Sequence, residues 1–222
     1  MQTTGTLYIV STPIGNLEDI TLRALRTLKE VDLIAAEDTR HTKILLDKYN
    51  IRKKSISFYS YNQLRRKDEI INLLKEGKNI ALVSDAGTPG ISDPGFSLIK
   101  SAIENGIPLT AIPGPTAIVT ALVLSGKPTN KFVFEGFLSN KQSKRRKRLE
   151  ALKKEERTVI IYESCHRIVK FLKDLLDIMG DREIVITREL TKKFEEVKRD
   201  KVSALLGHFS TTRPRGEFIV VI

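Results

Sequence analysis

The chain has 222 residues, 41% of them apolar, with a formal net charge of +11. That length supports one large domain or two small ones, each with a real core. No stretch approaches the roughly 18 consecutive apolar residues of a membrane span, the N-terminus MQTTGTLYIVSTPIG has neither basic leader nor cleavage-like site, and one cysteine, Cys165, excludes an intramolecular disulfide.

The expected setting is therefore cytoplasmic and reducing. In chain order, Leu7-Tyr8-Ile9-Val10-Ser11 reads as a strand. Leu17 to Lys29 reads as a helix with Leu22, Leu25 and Leu28 on its apolar face. Leu33–Ala36 is a strand, Asp38–Lys48 a helix, Ile56-Ser57-Phe58 a short strand, and Gln63–Glu76 a helix. Ile80–Val83 is a strand, Phe96–Asn105 a helix and Leu109–Ile112 a strand. These near-continuously apolar strands alternating with helices predict a mainly parallel sheet covered on both faces.

Pro113-Gly114-Pro115 interrupts the pattern and opens a helix over Thr116–Leu124. The predicted organisation is an N-terminal α/β domain over 1–113 and a C-terminal one over 114–222. The second should carry a mixed sheet, with strands at 132–134, 158–162, 184–187 and 218–222. Its expected helices run over 141–154, 166–178 and 201–208.

In open α/β sheets ligands bind beyond the carboxyl ends of the strands. Here those ends carry rigid and polar residues: Ser11-Thr12-Pro13-Ile14-Gly15-Asn16, Glu37-Asp38-Thr39-Arg40-His41 and Ser84-Asp85-Ala86-Gly87-Thr88-Pro89-Gly90. In the second half Tyr162-Glu163-Ser164-Cys165-His166-Arg167 and Arg188-Glu189-Leu190-Thr191-Lys192 occupy the same position. GxGxxG and GxxxxGK[ST] are both absent, as is metal-ligand spacing of Cys and His, so no metal is expected. Asp38 suits an N-cap. Arg40 and Arg167 open helices, where the dipole disfavours a cation, and so point to an anionic ligand.

Charge is unevenly spread. Through residue 112 there are 15 basic and 13 acidic residues; beyond it there are 23 and 14. The run Lys141-Gln142-Ser143-Lys144-Arg145-Arg146-Lys147-Arg148 has six cations in eight residues and no acid. Repulsion within such a helix would be relieved by a phosphate backbone. That makes Lys144, Arg145, Arg146, Lys147 and Arg148 RNA-binding candidates, against the plainer reading of a solvated surface.

The segments LYIVSTPIGNLEDIT (7–21), AAEDTRHT (35–42), LVSDAGTPGISDPG (82–95), IPGPTA (112–117), GFL (136–138), YESCHR (162–167), RELTK (188–192) and RGE (215–217) run in order along the chain. Together they resemble the tetrapyrrole methylase superfamily, and within it the ribosomal RNA small subunit methyltransferase I family. The resemblance implies the tetrapyrrole methylase fold, two α/β domains with the cofactor cleft between them. It implies an S-adenosyl-L-methionine-dependent homodimer that methylates the ribose 2′-oxygen of a decoding-region cytidine in 16S rRNA. Its partner would be the small ribosomal subunit or its RNA, with no role for membrane or DNA.

On this resemblance Pro13, Gly15, Asp85, Gly87, Thr88, Thr116, Ala117 and Tyr162 would hold the cofactor. Glu37 is the first candidate for general base, with Asp38 and Glu163 as alternatives, and Arg40 and Arg167 would clamp flanking phosphates. Cys165 stands where the family usually has proline. Many relatives continue past the last strand into a small helical segment. Three rivals remain: a methylase of a tetrapyrrole precursor and a protein methyltransferase of the diphthamide type, both on the same fold, and, in a different class, a non-catalytic ribosome-binding protein.

Overall fold

The computed structural model describes residues 4–222, so the first three residues of the N-terminal stretch lie outside it. The chain divides into two compact units, Met1–Thr116 and Ala117–Ile222.

The first unit follows the alternating pattern: β1 (Leu7–Val10), α1 (Leu22–Glu30), β2 (Leu33–Ala36), α2 (Thr39–Lys48), β3 (Ser55–Ser57), α3 (Gln63–Lys75), β4 (Ile80–Val83), α4 (Phe96–Glu104) and β5 (Leu109–Ile112). The expected helix from Leu17 is shorter. Asn16 caps a single 3-10 turn over Leu17–Asp19, and Thr21 accepts the N–H of Ala24 to cap α1. The buried face of α1 is Ala24, Thr27 and Leu28, whereas Leu22 is 86% exposed.

All strands of this sheet are parallel, in the order β3-β2-β4-β1-β5. Alternate residues feed two cores. Val10, Ile34, Ala36, Ala81, Val83 and Ile112 pack with Ala24 and Leu28 of α1 and Leu45 and Leu46 of α2. Leu7, Leu33, Ala35, Ile80 and Leu82 pack with Ile70 and Leu74 of α3 and Leu98 of α4 on the other face. The chain therefore leaves β1 and β2 toward one face but leaves β4, between them, toward the opposite face. Diverging exits open a crevice above the carboxyl ends of adjacent strands. The Gly/Pro-rich stretch that begins at Ser84 leaves the central strand there.

The second unit comprises α5 (Ala117–Ser125), β6 (Phe132–Phe137), α6 (Gln142–Leu152), β7 (Thr158–Ser164), α7 (Ile168–Met179), β8 (Glu183–Arg188), β9 (Glu196–Lys201), α8 (Val202–Thr211) and β10 (Glu217–Val221). Its sheet is mixed, as expected, with order β6-β7-β10-β8-β9. Only β6 and β7 run parallel, with a bulge between Phe134 and Gly136. α6, α7 and α8 cover one face around Leu149, Phe171, Leu175, Leu205, Phe209 and Phe218.

β9 is invisible to hydrophobic patterning, because its sequence is EVKRDK. It is an edge strand, and charge on an edge blocks pairing with other chains.

Candidate active site and basic surface

In the first unit, the loops after β1, β2 and β4 are tied into one layer. Thr12 and Gly87 exchange backbone hydrogen bonds, Thr12 N–H to Gly87 O at 2.9 Å and Gly87 N–H to Thr12 O at 3.0 Å. The Thr12 hydroxyl also donates to the carbonyl of Ser84 at 3.0 Å. Gly87 sits at φ +76, a conformation that L side chains rarely adopt. Thr88 lies 2.8 Å from Ser11, hydroxyl to hydroxyl; Pro13 is buried and Gly15 is exposed.

Asp85 and Glu37 meet at the same mouth. Asp85 N–H donates to Glu37 Oε2 at 3.3 Å, and Asp38 N–H donates to Asp85 Oδ1 at 3.0 Å. Burial pushes the Glu37 carboxyl above its ordinary value of 4.5; the Asp85 N–H opposes this, and the charges of Asp85 and Asp38 add to it. A carboxylate whose proton affinity is raised by burial is a better proton acceptor than an exposed one.

Asp38 is the N-cap of α2, accepting Arg40 N–H at 2.8 Å. The Arg40 guanidinium folds back onto the same carboxylate, at 3.1 Å through Nε and 2.7 Å through NH2, and holds Asp38 far below its usual range. This pairing, with Asp38 rather than Glu37, accounts for a cation at a helix start. Arg40 is still 90% exposed along its side chain.

In the second unit the motifs gather at one end of the sheet. Phe218 pairs with Glu163 on one side and Arg188 on the other, and Ile219 pairs with Tyr162 and Thr187. Opposite residues share a face, so Tyr162, Ile219 and Thr187 form one row. The Tyr162 ring is flanked edgewise by Phe134 and Phe137, at 4.9 and 5.4 Å.

Glu163 is 1% exposed and does not face solvent. Its Oε1 accepts Ser164 N–H and the Arg167 guanidinium, each at 2.7 Å, and burial raises its pKa. Arg167 is further engaged by the carbonyl of Leu138 and by the Asn140 side chain. Glu163 and Arg167 thus spend their charge on one another, which positions the loop after β7 but leaves neither as a free acid–base or phosphate group.

The basic run is sorted by its neighbours. Arg145 is 4% exposed and lies on Oδ2 of buried Asp174 in α7, at 2.8 Å through Nε and 2.6 Å through NH2. It is therefore not a solvent-facing RNA contact. Arg146 bridges Asp174 and Asp177, at 2.9 and 3.1 Å, and Arg148 forks onto Glu135. The expected repulsion is thus largely relieved inside the protein by acids from α7 and β6. Lys144 and Lys147 are exposed and have no ion pair among the described residues, while Arg146 and Arg148 keep 38% and 50% of their side-chain surface.

Thr116 and Ala117 are half-buried at the start of α5. Ser11 and Thr12 lie in the first strand-end loop without being singled out by residue type, and Thr187 and Asp174 lie outside every motif segment. The first two act through hydroxyls at a strand end, Thr187 looks like any β-branched strand residue, and Asp174 sits inside an amphipathic helix whose charges normally face water.

A parallel sheet with crossed exits, followed by a mixed sheet with its motifs at one end, defines the class: the chain belongs to the Tetrapyrrole (Corrin/Porphyrin) Methylases, whose family model matches residues 6–206. The relatives narrow it. A Thermotoga maritima protein named Ribosomal RNA small subunit methyltransferase I is 52% identical over 218 residues, covering 98% of both chains. A Bacillus subtilis protein of the same name is 49% identical over 98% of this chain and 75% of its own. The chain belongs to the ribosomal RNA small subunit methyltransferase I family. A solved structure of uroporphyrin-III C-methyl transferase from Thermus thermophilus, complexed with S-adenyl homocysteine, shares the fold at TM-score 0.68 and 18% identity, covering 97% of each chain. No helix among the described residues is long and apolar enough to cross a membrane.

Proposed function

We propose that this chain methylates the ribose 2′-oxygen of a cytidine in the decoding region of 16S rRNA, using S-adenosyl-L-methionine, as a cytoplasmic homodimer acting on the small ribosomal subunit. One observation carries the reading. Identity of about one half over nearly the whole chain is shared with relatives named for the small-subunit RNA, against 18% with a tetrapyrrole methylase of the same fold.

The residues present suit the cofactor. Gly15 and Gly87 bring main chain to the mouth without side-chain bulk, Pro13 stiffens the loop after β1, and Asp85 and Thr88 offer a carboxylate and a hydroxyl for a ribose or an amino-acid end. Thr116, Ala117 and Tyr162 would hold the remainder. The bound cofactor supplies an electrophilic methyl group, so the protein has chiefly to orient the acceptor.

Glu37 accepts the proton of the ribose hydroxyl. Asp85 holds Glu37 through its N–H and orders the turn into α2 through its carboxylate. Lys144 and Lys147, flanked by Arg146 and Arg148, contact phosphates, which position RNA without reading its sequence. Arg40 can join them only by exchanging Asp38 for a phosphate.

The test is transfer of labelled methyl from S-adenosyl-L-methionine to small subunits and to naked 16S rRNA from cells lacking this enzyme, followed by mapping of the product. Label on a decoding-region cytidine ribose is expected. Cofactor binding with no label on either RNA would overturn the proposal.

A further inference from the structure

The segment between β8 and β9 is strained, pinned and tipped by an exposed aromatic ring. Glu189 and Thr191 are non-glycine residues at φ 51 and 64. Such conformations cost free energy and persist only where surrounding contacts enforce them.

The contacts are present. Glu189 Oε1 accepts Glu217 N–H and the Lys192 ammonium, both at 3.0 Å, and Lys192 also reaches Glu217 at 2.7 Å. Gly216 makes room for this, since a Cβ there would lie 2.5 Å from the Glu189 carboxyl group. Thr191 N–H donates to Glu195 at 2.6 Å. RELTK and RGE are therefore one structural unit.

What this unit presents is Phe194. Its ring is 66% exposed, and Lys193 Nζ lies 5.8 Å from the ring centroid. It rises from the sheet end that also carries the loop after β7, since Arg188 and Glu163 flank Phe218. The ring is bracketed in sequence by Lys192, Lys193 and Glu195, so it is one aromatic face among charges. A protein interface core is depleted in such charges. An unpaired nucleobase beside its phosphate needs an aromatic face and a cation.

We infer that Phe194 is a stacking platform for an unpaired base of single-stranded RNA, with Lys193 beside it for the adjoining phosphate. The inference rests on the proposed RNA substrate and adds a contact to the second unit.

The chain has no tryptophan, so Phe194→Trp installs a single reporter. A short single-stranded oligoribonucleotide should quench its emission saturably, and a blunt duplex of the same sequence should not. Phe194→Ala and Phe194→Leu should weaken single-strand binding roughly 5- to 150-fold, the range for one stacked base. Phe194→Tyr should bind like wild type, and S-adenosylhomocysteine affinity should be the same in all. Wild-type binding of RNA with unchanged Phe194→Trp emission, or a leucine variant that binds like wild type, overturns the site alone. So does a Phe194→Ala chain that loses self-association, which would make a second copy the occupant. A wild-type chain that binds no RNA overturns the functional reading with it.

Discussion

The N–H of Asp85 donates to Oε2 of Glu37 while Asp85 in turn accepts the N–H of Asp38, so the carboxyl ends of β4 and β2 are laced in both directions. This gives Glu37 a fixed place and only one neutral donor, and burial keeps its pKa high.

Glu37→Gln retains an oxygen for the Asp85 N–H but cannot take a proton. Turnover should fall by about 10²- to 10⁴-fold, the usual range for a general base. In the wild type kcat should rise with pH as Glu37 ionises, with a midpoint above its ordinary 4.5, and this limb should vanish in the variant. Stability should move the other way. An acid with a raised folded pKa binds its proton more tightly when folded, so stability is lost as pH rises from 4.5 through the folded value. Glu37→Gln should therefore unfold no more easily than wild type at neutral pH. Loss of turnover in step with loss of thermal stability would remove Glu37 from the chemistry.

Asp174 holds α6 to α7 through Arg145, Arg146 and Gln142. Asp174→Asn leaves the Arg145 guanidinium buried beside an uncharged amide, and should cost about 3–5 kcal/mol in denaturant unfolding. Arg145→Met with Asp174→Leu removes both charges and should recover most of that. Burial opposes ionisation of Asp174, but its donors outweigh burial and hold it below its ordinary 3.8. Its contribution is thus complete above that value and is lost as pH falls through the folded pKa. The double variant should be less sensitive to acid than wild type.

Much of this was legible in the chain itself. βαβ alternation and a doubly covered sheet follow from apolar runs such as Ile80–Val83 being too continuous for a one-sided sheet, whereas the crevice follows from the strand order and the face on which each helix packs. Glu37 was readable as a carboxylate directly after a buried strand. The pairing of the basic run was not: charge pattern reports spacing along α6, whereas Asp174, Asp177 and Glu135 come from other elements. β9 was missed because an edge strand needs no apolar face, and Thr21 set the start of α1 because a cap outweighs the apolar Leu22.

Lys144 and Lys147 differ from the arginines between and beside them in having no acidic partner among the described residues. Lys144→Gln and Lys147→Gln should each weaken binding to unrelated RNAs alike. The slope of log K against log salt should become shallower by about 0.7–0.9 per lost phosphate contact, with melting unchanged. Arg145→Gln should lower melting instead. Equal salt slopes in wild type and the double lysine variant would move the RNA path off α6.

Gly216→Ala tests the union of RELTK and RGE. The residue sits at φ +88, and an added Cβ would fall 2.5 Å from the Glu189 carboxyl group. The backbone alone costs about 1–2 kcal/mol, and displacing Glu189 from the Glu217 N–H should add to it. Gly106→Ala is the control, because Gly106 is at φ +67 with nothing within 4 Å of an added Cβ, so it should show the backbone cost only. The two variants should separate in denaturant midpoint, with Gly216→Ala the lower. Amide exchange should quicken at Glu189, Lys192 and Glu217 in Gly216→Ala and not in Gly106→Ala, since the strained loop between β8 and β9 is held by the contacts that a methyl group at 216 would displace. Equal midpoints would mean that Glu189 has another place to go and that the two motifs are not one unit.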